Sequence, residues 1–390
     1  VPRIAPFSGL VYDPAVAGPL DRLTAPPYDV ISESRRRSYL DGSAHNIVHL
    51  DLAEGSDDPS APDSRYVGAA ELLEEWIRRG VLRGTPSAYF AYELVFPLDG
   101  TTRQVRGVFC AMDLEPWGGA VLPHEHVMPG PVEDRLCLLR STATHLSAIY
   151  GTIAGPCEPL RDLLDRTATT VPDAEIHDRE GVTHRMWSID GDVPIAAWVA
   201  EETLLIADGH HRYTTALAYR DERHAAEGPG PWDRILTLLV DAGSQDVPVL
   251  PYHRVQMHGY PPPADGEAVA DLPTALARLD DDTGVFATVV LAEGRPVYRL
   301  HRLAGAPPTV SALHGEILDR SAPGDALRFT HDAEDADEMV RTGRAIAAYL
   351  LPQTHPDRIM AAVARGERLP RKSTFFWPKP RTGMILMPLH

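Results

Sequence analysis

Five consecutive residues, Asp208-Gly209-His210-His211-Arg212, gather a carboxylate, two imidazoles and a guanidinium within one short stretch. An apolar run precedes them and a helical pattern follows. Backbone N–H groups and the positive end of a helix would therefore face the same small volume, which makes it a site for an anion. Gly209 permits a sharp turn or a close approach of backbone to ligand. Arg212 offers a planar fork for phosphate oxygens, and Thr214 and Thr215 add hydroxyls in the first helical turn. Asp208, at the end of the strand, is suited to hold Mg²⁺ or to orient a histidine. The plain alternative is that Asp208 caps the helix and the histidines cover its first turn.

A second group is His124-Glu125-His126. A His-x-His pair beside a carboxylate can bind zinc or iron, and a glutamate between histidines can serve as a general base. A solvated loop is the bland reading, and Glu133-Asp134-Arg135 behind it reads equally well as charge compensation in the first turn of a helix. A third group, Pro251-Tyr252-His253-Arg254, follows a strand, where a surface patch is the competing reading. The chain has only two lysines, Lys372 and Lys379, both within Arg371-Lys372-Ser373-Thr374-Phe375-Phe376-Trp377-Pro378-Lys379. Lysine and arginine are not interchangeable at a binding site, so this pairing points to a place where a compact ammonium is wanted.

These groups need elements to position them. Before the central turn, residues 203–207 read as a buried strand; after it, residues 211–225 read as a helix and 235–240 as a strand. Upstream, Thr24-Ala25-Pro26-Pro27-Tyr28-Asp29-Val30 is turn-rich, with prolines holding the backbone extended. Residues 46–52 read as a strand and 67–81 as a helix. Residues 89–96 and 105–114 read as strands joined through Leu98-Asp99-Gly100. A helix follows with Pro131 near its start and an apolar face of Val132, Leu136, Leu139, Ala143 and Leu146. Residues 148–154 and 183–189 complete the strands of this region, with a helix over 158–167. Beyond Pro261-Pro262-Pro263 the pattern gives a hairpin around Gly294, a helix near 312–318, an acidic stretch at 332–339 and a helix near 356–365. No internal repeat or low-complexity tail is visible. Three segments are expected: 1–87, a core at 88–258, and 259–390.

Composition narrows the function. A chain of 390 residues, 44% hydrophobic, has enough material for two or three packed units. Lys+Arg 37 against Asp+Glu 55 gives a net charge of −18, which repels a polyanion, so nucleic acid is not expected as a ligand. Cys110, Cys137 and Cys157 form no CxxC pair and read as small buried hydrophobes. No run approaches the ~18 to 20 apolar residues of a membrane span, and the opening residues lack the core of a secretory signal, so a cytoplasmic protein is expected.

Taken together, Ala25-Pro26-Pro27-Tyr28-Asp29-Val30-Ile31, Pro123-His124-Glu125 with Asp134-Arg135-Leu136, Ala207 to Tyr213, Pro251 to Arg254, and Arg371 to Thr374 with Pro378-Lys379 resemble the family of domain-of-unknown-function 1015 proteins. The motifs span most of the chain in order. This resemblance implies an α+β fold with a ParB/sulfiredoxin-like mixed core and added N-terminal and C-terminal α/β segments. Within that superfamily the Asp-Gly-His-His-Arg turn is similar to that of the free serine kinase, which is smaller than this chain. By that resemblance the protein would move a phosphoryl group from ATP or ADP, with Mg²⁺, to a small hydroxy amino acid such as L-serine. Glu125 would accept the hydroxyl proton, with Asp208 and His211 as the other catalytic groups. Gly209, His210, Arg212, Thr214, Thr215, Lys372 and Lys379 would hold the nucleotide phosphates. Tyr28, Asp29, His124, Arg135, His253 and Arg254 would face the substrate. A homo-oligomer is compatible with this reading. A ParB-like nucleotide switch is the alternative, and a metal-dependent hydrolase using His124, His126 and His210 or His211 is the weaker one.

Overall fold

The computed structural model describes residues 3–98, 100–125, 129–153, 155–279, 283–305, 308–322 and 326–390. His126 and Asp99, named above, lie outside them. The expected α+β character holds, but the division of the chain differs from the three expected segments. There are two compact units: one of residues 1–123, 127–246 and 378–390, the other of residues 124–126 and 247–377. The first segment and most of the expected core thus share one unit, and the last thirteen residues return to it.

Among the described residues, the first unit contains a nine-stranded mixed sheet. Its order is Val121–Leu122, Leu204–Asp208, Ile149–Ile153, Arg234–Asp241, Thr101–Asp113, Ala88–Leu98, Thr183–Asp190 and Ala174–His177, with Ile4–Ala5 also joined to Thr101–Asp113. The central strands are rich in β-branched and aromatic residues that fit a pleated, buried surface. Ile149, Ile206, Leu239, Val108 and Tyr213 meet in one core. Each such side chain contributes roughly 1.5 to 3 kcal/mol when fully buried. The expected helices over 67–81 and 211–225 appear as Arg65–Arg78 and His210–Glu227.

One expectation in this unit fails in an instructive way. Residues 46–52 are not a strand: Val48–Asp51 is a helical turn. Asn46 starts it, because its side-chain oxygen accepts from Val48 N–H at 3.0 Å while its amide donates to the Arg22 carbonyl at 2.7 Å. A side chain that bonds its own backbone offers an alternative to the strand ladder. Ile47, Val48 and Leu50 are fully buried around the turn, and Asp51 is carried inward with them.

The second unit holds a six-stranded antiparallel sheet among its described residues, in the order Glu267–Val269, Arg295–Arg302, Val285–Ala292, Ala347–Leu350, His253–Gln256, Leu327–Thr330. The helices Leu272–Ala277 and Ala333–Arg341 are capped by Asp271 and Asp332. Val255, Val289, Leu350 and Val340 lie in the core beneath them. A separate ribbon pairs Val249–Pro251 with Thr374–Phe376. No helix among the described residues is long and apolar enough to cross a membrane.

Candidate functional site

In the first unit the strand Leu204–Asp208 feeds the helix His210–Glu227 through a single residue, Gly209. Pairing with Ile149–Ile153 shifts register between Ile206 and Asp208. Such an irregularity re-aims the side chain at the strand end. Gly209 has φ +98, and a β-carbon there would lie 2.8 Å from Ile149 Cγ2. Both the left-handed backbone and the close packing therefore require glycine.

The turn is a cluster of alternating charges. One oxygen of Asp208 accepts from Arg212 Nη2 at 2.5 Å, and the other accepts from the Lys379 ammonium. Lys379 also lies 3.4 Å from Asp29 Oδ2, so its nearly buried ammonium bridges two carboxylates. Arg212 donates in addition to the Ser147 hydroxyl at 3.2 Å and to the Ala148 carbonyl. Its guanidinium is thereby held in place by three acceptors.

Arg135 extends this chemistry. Its guanidinium pairs with Asp51 at 2.9 Å and Asp134 at 2.6 Å and stacks 4.4 Å from the centre of the Tyr28 ring. Burial raises the Asp51 pKa against the opposing charges of Arg135 and Arg212. Burial also works against Asp134, yet Arg135 and Arg65 hold its carboxyl below the usual range. The Tyr28 phenol is pushed up to about 12, first by burial and then by Asp29, with Arg212 and Arg135 opposing. A small cavity of about 40 Å³ is lined by Asp51, Arg135, His145, Ser147, Arg212 and Thr215, among others. Another cavity in this unit, about 280 Å³, is lined by other residues, with Phe90, Met186 and Met384 among them.

Six expected residues thus form one connected cluster in the first unit: Tyr28, Asp29, Arg135, Asp208, Arg212 and Lys379. The rest of the turn is used differently. His210 is buried and stacks on Trp117, with ring centres 6.0 Å apart. The Thr215 hydroxyl donates to the Val132 carbonyl at 3.2 Å, whereas the Thr214 hydroxyl is buried without a hydrogen-bond partner among the described residues. His211 is half-buried. Sequence reasoning missed Asp51, Ser147 and Trp117. Only Asp51 left a trace, as an acid in an otherwise apolar run.

A resident divalent cation at Asp208 does not fit this arrangement. Both carboxylate oxygens already accept from side-chain cations, and the ammonium takes the place an ion would need. Among the described residues, no group of three or more His, Cys, Asp or Glu side chains could hold a metal.

The second unit carries other expected residues, and within it His124 and Glu125 meet residues 369–374. The Leu369 N–H donates to the His124 carbonyl at 2.7 Å, and Glu125 forms a bridge with Leu369. His124 Nε2 lies 2.6 Å from the Thr374 hydroxyl. Glu125 Oε1 accepts from Ser373 N–H at 2.9 Å and Thr374 N–H at 3.3 Å, and Oε2 accepts from Lys372 N–H at 3.2 Å. Lys372 has φ +53, a conformation that costs a residue with a β-carbon of order 1 kcal/mol unless its surroundings hold it. Its ammonium lies 5.3 Å from the centre of the Tyr252 ring.

Arg254 is fully buried and donates to the carbonyls of Tyr252 at 2.5 Å and Arg371 at 3.3 Å. His253 faces elsewhere: its Nδ1 accepts from Leu351 N–H at 3.1 Å, and burial pushes its pKa down to about 4. Neutral imidazole is the form that this hydrogen bond requires.

Several known proteins resemble the chain. A family described as protein of unknown function DUF1015 matches residues 4–301. No protein of curated function matches. Among solved structures, a free serine kinase in complex with AMP is 16% identical with a TM-score of 0.38, the match covering 73% of this chain and 91% of that one. A conserved hypothetical protein from Pyrococcus furiosus is 14% identical with a TM-score of 0.35, covering 70% of this chain and 93% of that one. SbnI with a C-terminal truncation, from Staphylococcus aureus, is 12% identical with a TM-score of 0.36, covering 67% and 82% respectively.

Proposed function

This chain belongs to the DUF1015 family, as the match over residues 4–301 establishes, and on that premise we propose that it is a nucleotide-dependent phosphotransferase. In this reading it moves the terminal phosphoryl group of ATP or ADP to the hydroxyl of free L-serine or a similar hydroxy amino acid. The observation that carries the proposal is the turn at Asp208 to Arg212. A glycine-only backbone opens an 18-residue helix there, with a fixed guanidinium and a nearly buried ammonium beside it. Phosphoryl transfer asks mainly for positioning and for neutralisation of charge on the moving group. Helix N–H groups, Arg212 and Lys379 provide donors of that type. The carboxylates of Asp208 and Asp29 keep the two cations in place until a phosphate competes for them. The choice of serine as acceptor comes from the resemblance of the Asp-Gly-His-His-Arg turn to that of the free serine kinase.

The experiment is direct. The protein is incubated with Mg²⁺, L-serine and either ATP or ADP, Mg²⁺ entering as the counter-ion of the nucleotide, and O-phosphoserine is sought by mass spectrometry. Phosphoserine that depends on both serine and nucleotide is expected. Absence of a phosphorylated product across a panel of hydroxy amino acids would overturn the kinase reading. Nucleotide hydrolysis that ignores every acceptor would instead favour a ParB-like switch.

A further inference from the structure

The environment of Glu125 is that of an anchor. Three consecutive backbone N–H groups, from Lys372, Ser373 and Thr374, converge on its two oxygens, and the Thr374 hydroxyl stands 3.4 Å from Oε1. Successive N–H groups that close on one anion form a nest, and here the anion is a side chain of the same unit. Oε1 takes three of these donors, and Oε2 takes the Lys372 N–H.

The same contacts hold the loop. Lys372 keeps a positive φ of 53, and the flanking residue Arg371 is tied through its carbonyl to the fully buried Arg254. Glu125 from one side and Arg254 from the other therefore define the backbone that carries the Lys372 side chain. We infer that Glu125 is a positioning residue: its carboxylate holds the nest at residues 372–374 and so sets the backbone that carries Lys372. The effect expected on nucleotide handling rests on the phosphotransferase reading; the anchoring itself does not.

Two measurements separate the cases in the full chain. Hydrogen exchange at the amides of residues 372–374 is compared among wild type, Glu125→Gln and Glu125→Ala, and binding of a fluorescent ATP analogue is followed in the same three proteins. For an anchor, exchange accelerates about tenfold or more in Glu125→Ala, the equivalent of one charge-assisted hydrogen bond. Glu125→Gln falls between, because its amide oxygen still accepts from the loop. Nucleotide affinity drops in the same order, and in a turnover assay KM for nucleotide rises more than kcat falls. For a base, both variants would exchange and bind nucleotide like wild type while losing turnover alike, and that pattern would overturn the inference. Unchanged exchange in Glu125→Ala would overturn it as well. If Glu125→Ala does not fold, Glu125→Gln against wild type carries the same comparison. Failure of the phosphotransferase reading shows separately, as absence of product from wild type with the exchange results intact.

Discussion

The two polar centres of this chain are built by opposite means. In the first unit, Asp208 is held by side chains, Arg212 and Lys379; in the second, Glu125 is held by the backbone of residues 372–374. Side-chain cations can turn toward an incoming anion and leave their carboxylates behind, whereas backbone donors stay where the loop puts them. On the proposed phosphotransferase reading, the first centre is the one that meets a ligand and the second is the one that holds a loop. The difference also gives the Glu between histidines a structural task, holding residues 372–374, that its sequence context does not signal.

The comparison can be broken most sharply at Lys379. Lys379→Met would leave Asp208 and Asp29 without their shared ammonium in a site where the lysine side chain is 6% exposed. Removing one partner of such a buried pair costs about 3 to 5 kcal/mol, read by urea denaturation, and nucleotide binding should fall with it. Wild-type stability and affinity in this variant would show that the cation cluster is not the ligand centre.

A smaller effect is expected at the backbone of the turn. Gly209→Ala must take a β-carbon into contact with Ile149 at φ +98, which should cost about 2 to 3 kcal/mol. If the turn is the phosphate site, nucleotide affinity falls along with stability in urea. A variant that loses stability and keeps affinity would reduce Gly209 to a packing role.

The smallest effect is a pH dependence that both units share. Burial pushes His145, in the first unit, and His253, in the second, from 6.5 down to about 4. His145 Nε2 lies 3.2 Å from the Arg234 carbonyl and donates to it as neutral imidazole. Below pH 6.5 the unfolded chain binds protons that the folded chain refuses, so unfolding becomes easier as pH falls. The stability these residues contribute is therefore complete above about pH 6.5 and is lost progressively toward pH 4. His145→Gln should flatten the slope by about 1 to 2 kcal/mol over that window, measured as urea midpoints against pH. An unchanged slope would mean that His145 titrates normally.

Much of the fold was legible because its signals are local. The strands around residues 89–113 and 235–240, and the helix after Gly209, follow side-chain periodicity and turn residues that operate over a few positions. Residues 46–52 were misread because their β-branched and aliphatic residues fit a strand, while the deciding contact was Asn46 bonding Val48 and Arg22. The same change of element carries Asp51 to Arg135, so an error in secondary structure hid a member of the site. The helix with Pro131 ends at Thr142, short of the expected Leu146, because Ala143 takes φ +44.

The sequence by itself determined which residue types are available: the glycine at the turn, the two rare lysines, and the motifs that mark the family. Those are properties of single positions and near neighbours. Only the tertiary structure decided their partners. Lys379 meets Asp208 across 171 residues, and Glu125 meets Lys372 across 247. Contacts at such separations are set by how strands pair and which segments return to a unit, and no local spacing encodes that. The physical reason the two lysines part ways is also tertiary: the ammonium of Lys379 is neutralised by two carboxylates, while Lys372 is placed by the amides that Glu125 holds.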